Sequence, residues 1–291
     1  MSKQRKTFTT VGYFPENGRP EPGKAAKRAR GFRGLAIALC AVLLLSASIL
    51  VSRLMEYRDA AVEYEAIAKE MDATPSPAAQ TPSPSPIRAA AAPAPTAIPV
   101  MTPAAYYNRE MLRLKGQNSD TVGYLDIPGT NISYPVVRGK DNSYYTNHTF
   151  LKKKNASGAI FMDSWNGMDL NDFNIVLYGH NMKDGSMFHE LLQYRKAAFM
   201  KENREIVLTG PYERKIFLIF STYTCDDITD VRGFRYDTVE ERQTFLNVLV
   251  KRSDIGGGAV TPNAQGQIIT LVTCRDRGAD EYFVVHGALQ K

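Results

Sequence analysis

Residues 35–51 read LAIALCAVLLLSASILV, a run of seventeen without a charge, with Arg33 before it and Arg53 after it. In a helix this run would reach about 25 Å, near the lower limit for crossing the hydrocarbon core of a bilayer. A membrane helix places the two parts of a chain on opposite sides of the bilayer. Residues 1–33 hold nine Lys/Arg and two Asp/Glu, so this tail carries +7 of a net +6 and the rest of the chain carries −1. An excess of Lys/Arg on one flank keeps that flank cytoplasmic, which sends everything after residue 53 outside the cell. A cleaved signal peptide is the other reading, with Ser46-Ala47-Ser48 as its small-residue cleavage site. The basic stretch is far longer than an ordinary signal n-region, which favours a retained anchor. Basicity confined to the tail argues against a nucleic-acid partner, because such a protein needs a basic stripe on its folded part. Membrane lipid is the partner that the tail itself suggests.

The expected plan is a basic cytoplasmic tail over 1–33, a transmembrane anchor over 34–53, a helix and stalk over 54–104, and one folded domain over 105–291. Residues 57–71 (YRDAAVEYEAIAKEM) are compatible with a helix, and residues 72–104 are then rich in Pro, Ala, Ser and Thr. Such a composition forms no packed core and reads as a semi-extended spacer. Past a helix near 105–115, eight β-type runs occur: VGYLDI, ISYPVV, GAIFMD, NIVLYGH, REIVLTG, KIFLIFSTYT, QIITLVTC and EYFVVHGAL. Eight short strands at this spacing predict a mainly β fold, a closed or nearly closed barrel. Two insertions read as helices. One covers 187–203. The other starts at Thr238, whose spacing to Glu241 fits a capping box, and lines one face with Phe245, Leu246, Leu249 and Val250.

Three cysteines occur, and Cys40 lies inside the apolar run. Cys225 and Cys274 remain for the exported part, where they either pair or leave a free thiol with a chemical role. Cys274 closes the strand QIITLVTC at its passage into a loop, and His180 closes the strand NIVLYGH. A thiol becomes a nucleophile when a base or cation favours its thiolate, so Cys274 and His180 form a candidate dyad. His148, His189 and His286 fall in a turn, a helix and a strand, with ordinary surface or core roles. Metal-binding, CxxC and phosphate-loop motifs are absent, so neither a metal nor a cofactor is expected.

Over most of 123–289 the sequence resembles class B sortases. The blocks that carry the likeness are GYLDIPGTNISYPVVRGKDNSYYTNH, KKNASGAIFMD, NIVLYGHNMKDGSMF, TLVTC and FVVHGAL. The resemblance implies an eight-stranded sortase barrel with a helix between the sixth and seventh strands, Cys274 as nucleophile and His180 as its partner. It implies a substrate as well: an exported protein with a C-terminal sorting motif of the NPxTN kind, cut at the Thr carbonyl through a thioester. A lipid-linked peptidoglycan precursor would supply the amine that takes over the acyl group. Asn142, Tyr178 and Thr273 stand at candidate substrate-binding positions.

The chain also departs from the family. Four residues before the histidine of the last strand the family has an arginine, and Tyr282 stands there. A phenol donates one neutral hydrogen bond where a guanidinium would donate charged ones. Arg275 and Arg277, just after the nucleophile, are the candidate replacement cations. Val272 and Arg275 also differ from the common residues and leave the precise sorting motif open. Three activities remain in play: a transpeptidase for wall anchoring or pilus assembly, a hydrolase with the same dyad, and a silent binding module suggested by Tyr282 and by the option of a Cys225–Cys274 disulfide.

Overall fold

The computed structural model describes residues 22–72, 103–232, 236–255, 260–274 and 281–290 of the 291-residue chain. Nearly all of the expected spacer over 72–104, most of the basic tail, and Arg275 and Arg277 lie outside these residues. The chain divides after Leu54 into two units. The first belongs to helix α1 (Pro22–Asp72). The apolar side chains of the charge-free run, Leu39, Val42, Leu45 and Ile49 among them, are exposed on every side of the helix. The helix is long and apolar enough to cross a membrane by length and composition. A helix that is apolar all round has no polar face to turn to water.

The second unit is a closed barrel. Its strands are β1 (Thr121–Asp126), β2 (Ser133–Val137), β3 (Ile160–Met162), β4 (Asn174–Gly179), β5 (Glu205–Thr209), β6 (Arg214–Cys225), β7 (Ile268–Cys274) and β8 (Tyr282–Leu289). They close in the order β1-β2-β3-β4-β7-β8-β6-β5. The eight runs expected from the sequence are these eight strands. Neighbours are antiparallel except β2 with β3 and β4 with β7, which run parallel. The β4–β7 pair matters most for function, because parallel neighbours bring their C-terminal ends to the same rim of the barrel.

Helix α2 (Pro103–Gln117) precedes β1 and buries Met111 and Leu114. The insertion expected as one helix over 187–203 is broken into a 3-10 helix, His189–Arg195, and helix α3 (Ala197–Glu202), with Lys196 extended between them. In a continuous helix Tyr194 and Phe199 would point about 140° apart. The break lets their rings meet edge to face at 5.1 Å while Tyr194 stays fully buried. After β6 comes a short helical turn, α4 (Thr229–Arg232), and then α5 (Val239–Lys251). The Thr238–Glu241 capping box forms as expected. Phe245, Leu246 and Leu249 are buried, but Val250 is 36% exposed. It lies about 140° round the helix from Phe245, outside the buried stripe.

Residues 55–72 at the end of α1 lie in the same unit as the barrel. Ala60, Tyr64 and Ile67 are part of the buried core. The Tyr64 hydroxyl donates to the Gly158 carbonyl at 2.7 Å and accepts the Phe150 amide at 3.1 Å. The stretch read from sequence as the helix before the spacer is therefore packed into the core of the barrel unit.

Candidate active site

Strand β4 pairs with β7 from Asn174–Ile268 through Gly179–Thr273. One step further along the same register lie His180 and Cys274. Cys274 is the last residue of β7, and His180 directly follows Gly179, the last residue of β4. The two members of the candidate dyad thus stand where adjacent parallel strands end, at one rim of the barrel. Gly179 is required at the approach: a Cβ there would come within 2.5 Å of Ile160 Cδ1 and 2.7 Å of Phe188 Cγ.

His180 Nε2 lies 2.6 Å from the Thr146 carbonyl. A carbonyl only accepts, so Nε2 is the donor in this contact. Thr146 is fixed in turn by the 3-10 helix Tyr144–Thr146. The Asp141 carboxylate accepts from the Ser143 hydroxyl and from the amides of Ser143 and Tyr144 at the start of that helix. These hydrogen bonds hold its carboxyl below the usual range.

A cleft at this rim is lined by His180, Tyr178, Asn142, Val272, Tyr282 and Arg232, with Thr146 and Phe161 among its other walls. Of the sequence candidates, His180, Asn142, Tyr178 and Tyr282 are therefore brought together. Thr273 is 1% exposed and belongs to the opposite face of β7 from Val272, so the described cleft does not include it. Asn142 donates from Nδ2 to Asp163 Oδ2 at 3.0 Å and accepts the Ser164 amide at 2.8 Å. Tyr178 donates to the same carboxylate oxygen at 2.7 Å. Burial and the adjacent Asp163 push the Tyr178 phenol far above its ordinary range, so it remains a donor. Asp163 and Arg232 carry no signal in the sequence. Asp163 ends a β run like many surface carboxylates, and no motif marks Arg232.

The other histidines have structural partners. His148 stacks on Tyr144 at 4.1 Å, His189 bonds Asn181, and His286 is fully buried between Thr270 and Tyr223. Cys225 and Cys274 both pair with Tyr282, from opposite sides of β8. They are two strand spacings apart, roughly 9–10 Å, and a disulfide reaches only about 7 Å between Cα atoms. The Cys225–Cys274 pairing, one of the two grounds for the silent-module reading, is closed off by the register, and Cys225 is free. Burial pushes the Cys225 thiol up to about 11, which leaves it protonated and unreactive at neutral pH.

A family model for the sortase domain matches residues 125–290. Sortase B of Listeria monocytogenes is 37% identical over 173 residues, covering 57% of this chain and 67% of that protein. Sortase B of Staphylococcus aureus is 31% identical over 159 residues, covering 55% of this chain and 65% of that protein. Among solved structures, Clostridium perfringens sortase B superposes with a TM-score of 0.58 at 32% identity, covering 62% of this chain and 99% of that one. A Staphylococcus aureus sortase B–substrate complex superposes with a TM-score of 0.60 at 29% identity, covering 63% and 86%.

Proposed function

Given that the chain belongs to the sortase family and is a sortase B-type cysteine transpeptidase, we propose that it cuts a C-terminal sorting motif of the NPxTN kind on exported proteins and transfers the Thr carbonyl to an amine of a peptidoglycan precursor. The observation that supports this reading is the parallel β4–β7 register, which brings His180, just past the end of β4, to the same rim as Cys274 at the end of β7.

In the proposed cycle the Cys274 thiolate attacks the Thr carbonyl and forms a tetrahedral oxyanion. The oxyanion collapses to a thioester as the C–N bond breaks, and His180 gives the departing amine its proton. The incoming amine attacks the thioester as its proton passes to the same imidazole, and the Cys274 thiolate is expelled, which restores the starting thiolate–imidazolium pair. An apolar wall of Phe161, Val272 and Ile228 keeps water scarce, which favours the amine over hydrolysis. The exposed apolar helix holds the enzyme at the membrane, with its basic flank cytoplasmic and the barrel on the outer face, where a lipid-linked acceptor is also found.

The test uses the full chain in detergent micelles with NPxTN-type peptides, followed by intact-mass spectrometry. A thioester adduct is expected on Cys274, absent from Cys274→Ala, and cleared faster when a glycine-type amine is added. Clearance at the same rate with and without amine would make the enzyme a hydrolase. Failure of any Thr-containing sorting peptide to form the adduct, with the thiols free, would overturn the proposal.

A further inference from the structure

Arg232 sits in the cleft through four separate restraints. Its neighbour Val231 is fully buried. Asn174 Nδ2 donates to the carbonyls of Val231 at 3.0 Å and of Arg232 at 2.8 Å, which clamps the end of α4 to β4. The Asn174 side chain is itself oriented by the Thr270 hydroxyl at 2.7 Å. The guanidinium Nε donates to the Tyr178 hydroxyl at 3.1 Å and lies 3.6 Å from the fully buried Asp163 carboxylate. A guanidinium carries five donors in one plane. Only Nε is engaged here, and the two terminal nitrogens have no hydrogen-bond or carboxylate partner among the described residues. Arg232 is also the one arginine or lysine among the described residues lining the cleft. Tyr282, at the position where class B sortases carry an arginine, lines the same cleft.

We infer that Arg232, carried on α4 between β6 and α5, is the catalytic cation of this enzyme, and that its terminal nitrogens donate to the carbonyl oxygen of the scissile threonine. This deepens the transpeptidase reading and rests on it. The charge has moved from the last strand to the opposite wall of the cleft. Tyr178 and Asp163 hold the inner edge of the guanidinium so that its outer edge reaches the oxyanion, where a charged donor counts for most. Asp163 keeps three other donors, the Asn142 amide, the Tyr178 hydroxyl and the Trp165 main-chain amide, so removing Arg232 leaves it satisfied.

The experiment measures the single-turnover rate of thioester formation on the full chain at saturating peptide. Arg232→Gln is expected to slow it about 100-fold, the loss typical of one oxyanion donor. Arg232→Lys should fall between, and adding Tyr282→Arg to Arg232→Gln should restore most of the rate by returning a cation from β8. A rate for Arg232→Gln within about threefold of wild type overturns the inference, as does a loss confined to KM. A loss seen only on Arg275→Gln or Arg277→Gln assigns the role to the loop after Cys274 and overturns it too. A second readout does not depend on the peptide: the ratio of Cys274 modification rates by an anionic sulfonatoethyl and a cationic trimethylammonioethyl methanethiosulfonate, mapped by peptide mass. Arg232→Gln should lower this ratio about fivefold or more, and an unchanged ratio overturns the inference. If wild type forms no thioester while the ratio still shifts, the substrate reading fails and the cation's placement stands.

Discussion

His286 is fully buried on β8, where Nδ1 meets the Thr270 hydroxyl at 3.0 Å and Nε2 meets the Tyr223 hydroxyl at 3.2 Å. Burial, helped by the nearby Arg252 charge, pushes its pKa down to about 3. The unfolded chain takes up a proton near 6.5, and the folded one does so only near 3. His286 therefore costs no stability above pH 6.5 and destabilises the fold progressively as pH falls from 6.5 toward 3. The slope approaches about 1.4 kcal/mol per pH unit inside that window. Urea unfolding of wild type and His286→Gln between about pH 7 and pH 4 checks this. The difference in stability should shift steadily in favour of the glutamine variant as the solution is acidified, and parallel curves would refute it. Two other single residues had more ambiguous signatures. Cys225 and Cys274 look alike in sequence, yet one is half-buried beside Asp226 and Asp227, while the other ends the strand beside His180.

At the scale of elements, the site depends on where β4 and β7 stop. Both end at one rim because they run parallel, and this orientation required the chain to cross from β4 through β5, β6 and α5 before returning as β7. Gly179 is the point of closest approach. Gly179→Ala would drive a methyl into Ile160 and Phe188, and relieving those contacts must displace the end of β4. The expected cost is roughly 1–3 kcal/mol of stability, as for other overpacked cores. Because His180 is the next residue, the rate of thioester formation should fall by more than tenfold. Urea unfolding together with single-turnover acylation tests both parts, and a stable variant with a normal rate would show that the strand end does not position the histidine. The β-runs were legible because alternation and turn residues are local properties. The break at Lys196 was not, because it exists to bring Tyr194 and Phe199 together against the barrel.

On the scale of the whole molecule, the end of α1 joins the catalytic unit. Glu63 accepts the Leu151 amide at 2.9 Å, the Asn155 side chain donates to the Glu56 carbonyl at 2.6 Å, and Tyr64 bridges Gly158 and Phe150. Tyr64→Phe keeps the ring and deletes both hydrogen bonds, leaving a buried carbonyl and a buried amide unpaired. The expected loss is about 1–3 kcal/mol in urea unfolding, with the acylation rate nearly unchanged, and no loss would mean that this helix is not part of the folded unit. By itself the sequence determined the apolar helix with its charge asymmetry, the eight strands and the capped α5, because each is written in composition or short-range periodicity; it also set Cys274 and His180 at the ends of two β runs as a candidate pair. Only the tertiary structure decided that Cys225 and Cys274 are separated by β8, that Thr273 faces away from the cleft, and that Arg232 faces into it. Those outcomes arise from strand order and register, which join residues far apart in the chain and leave no trace in any local pattern.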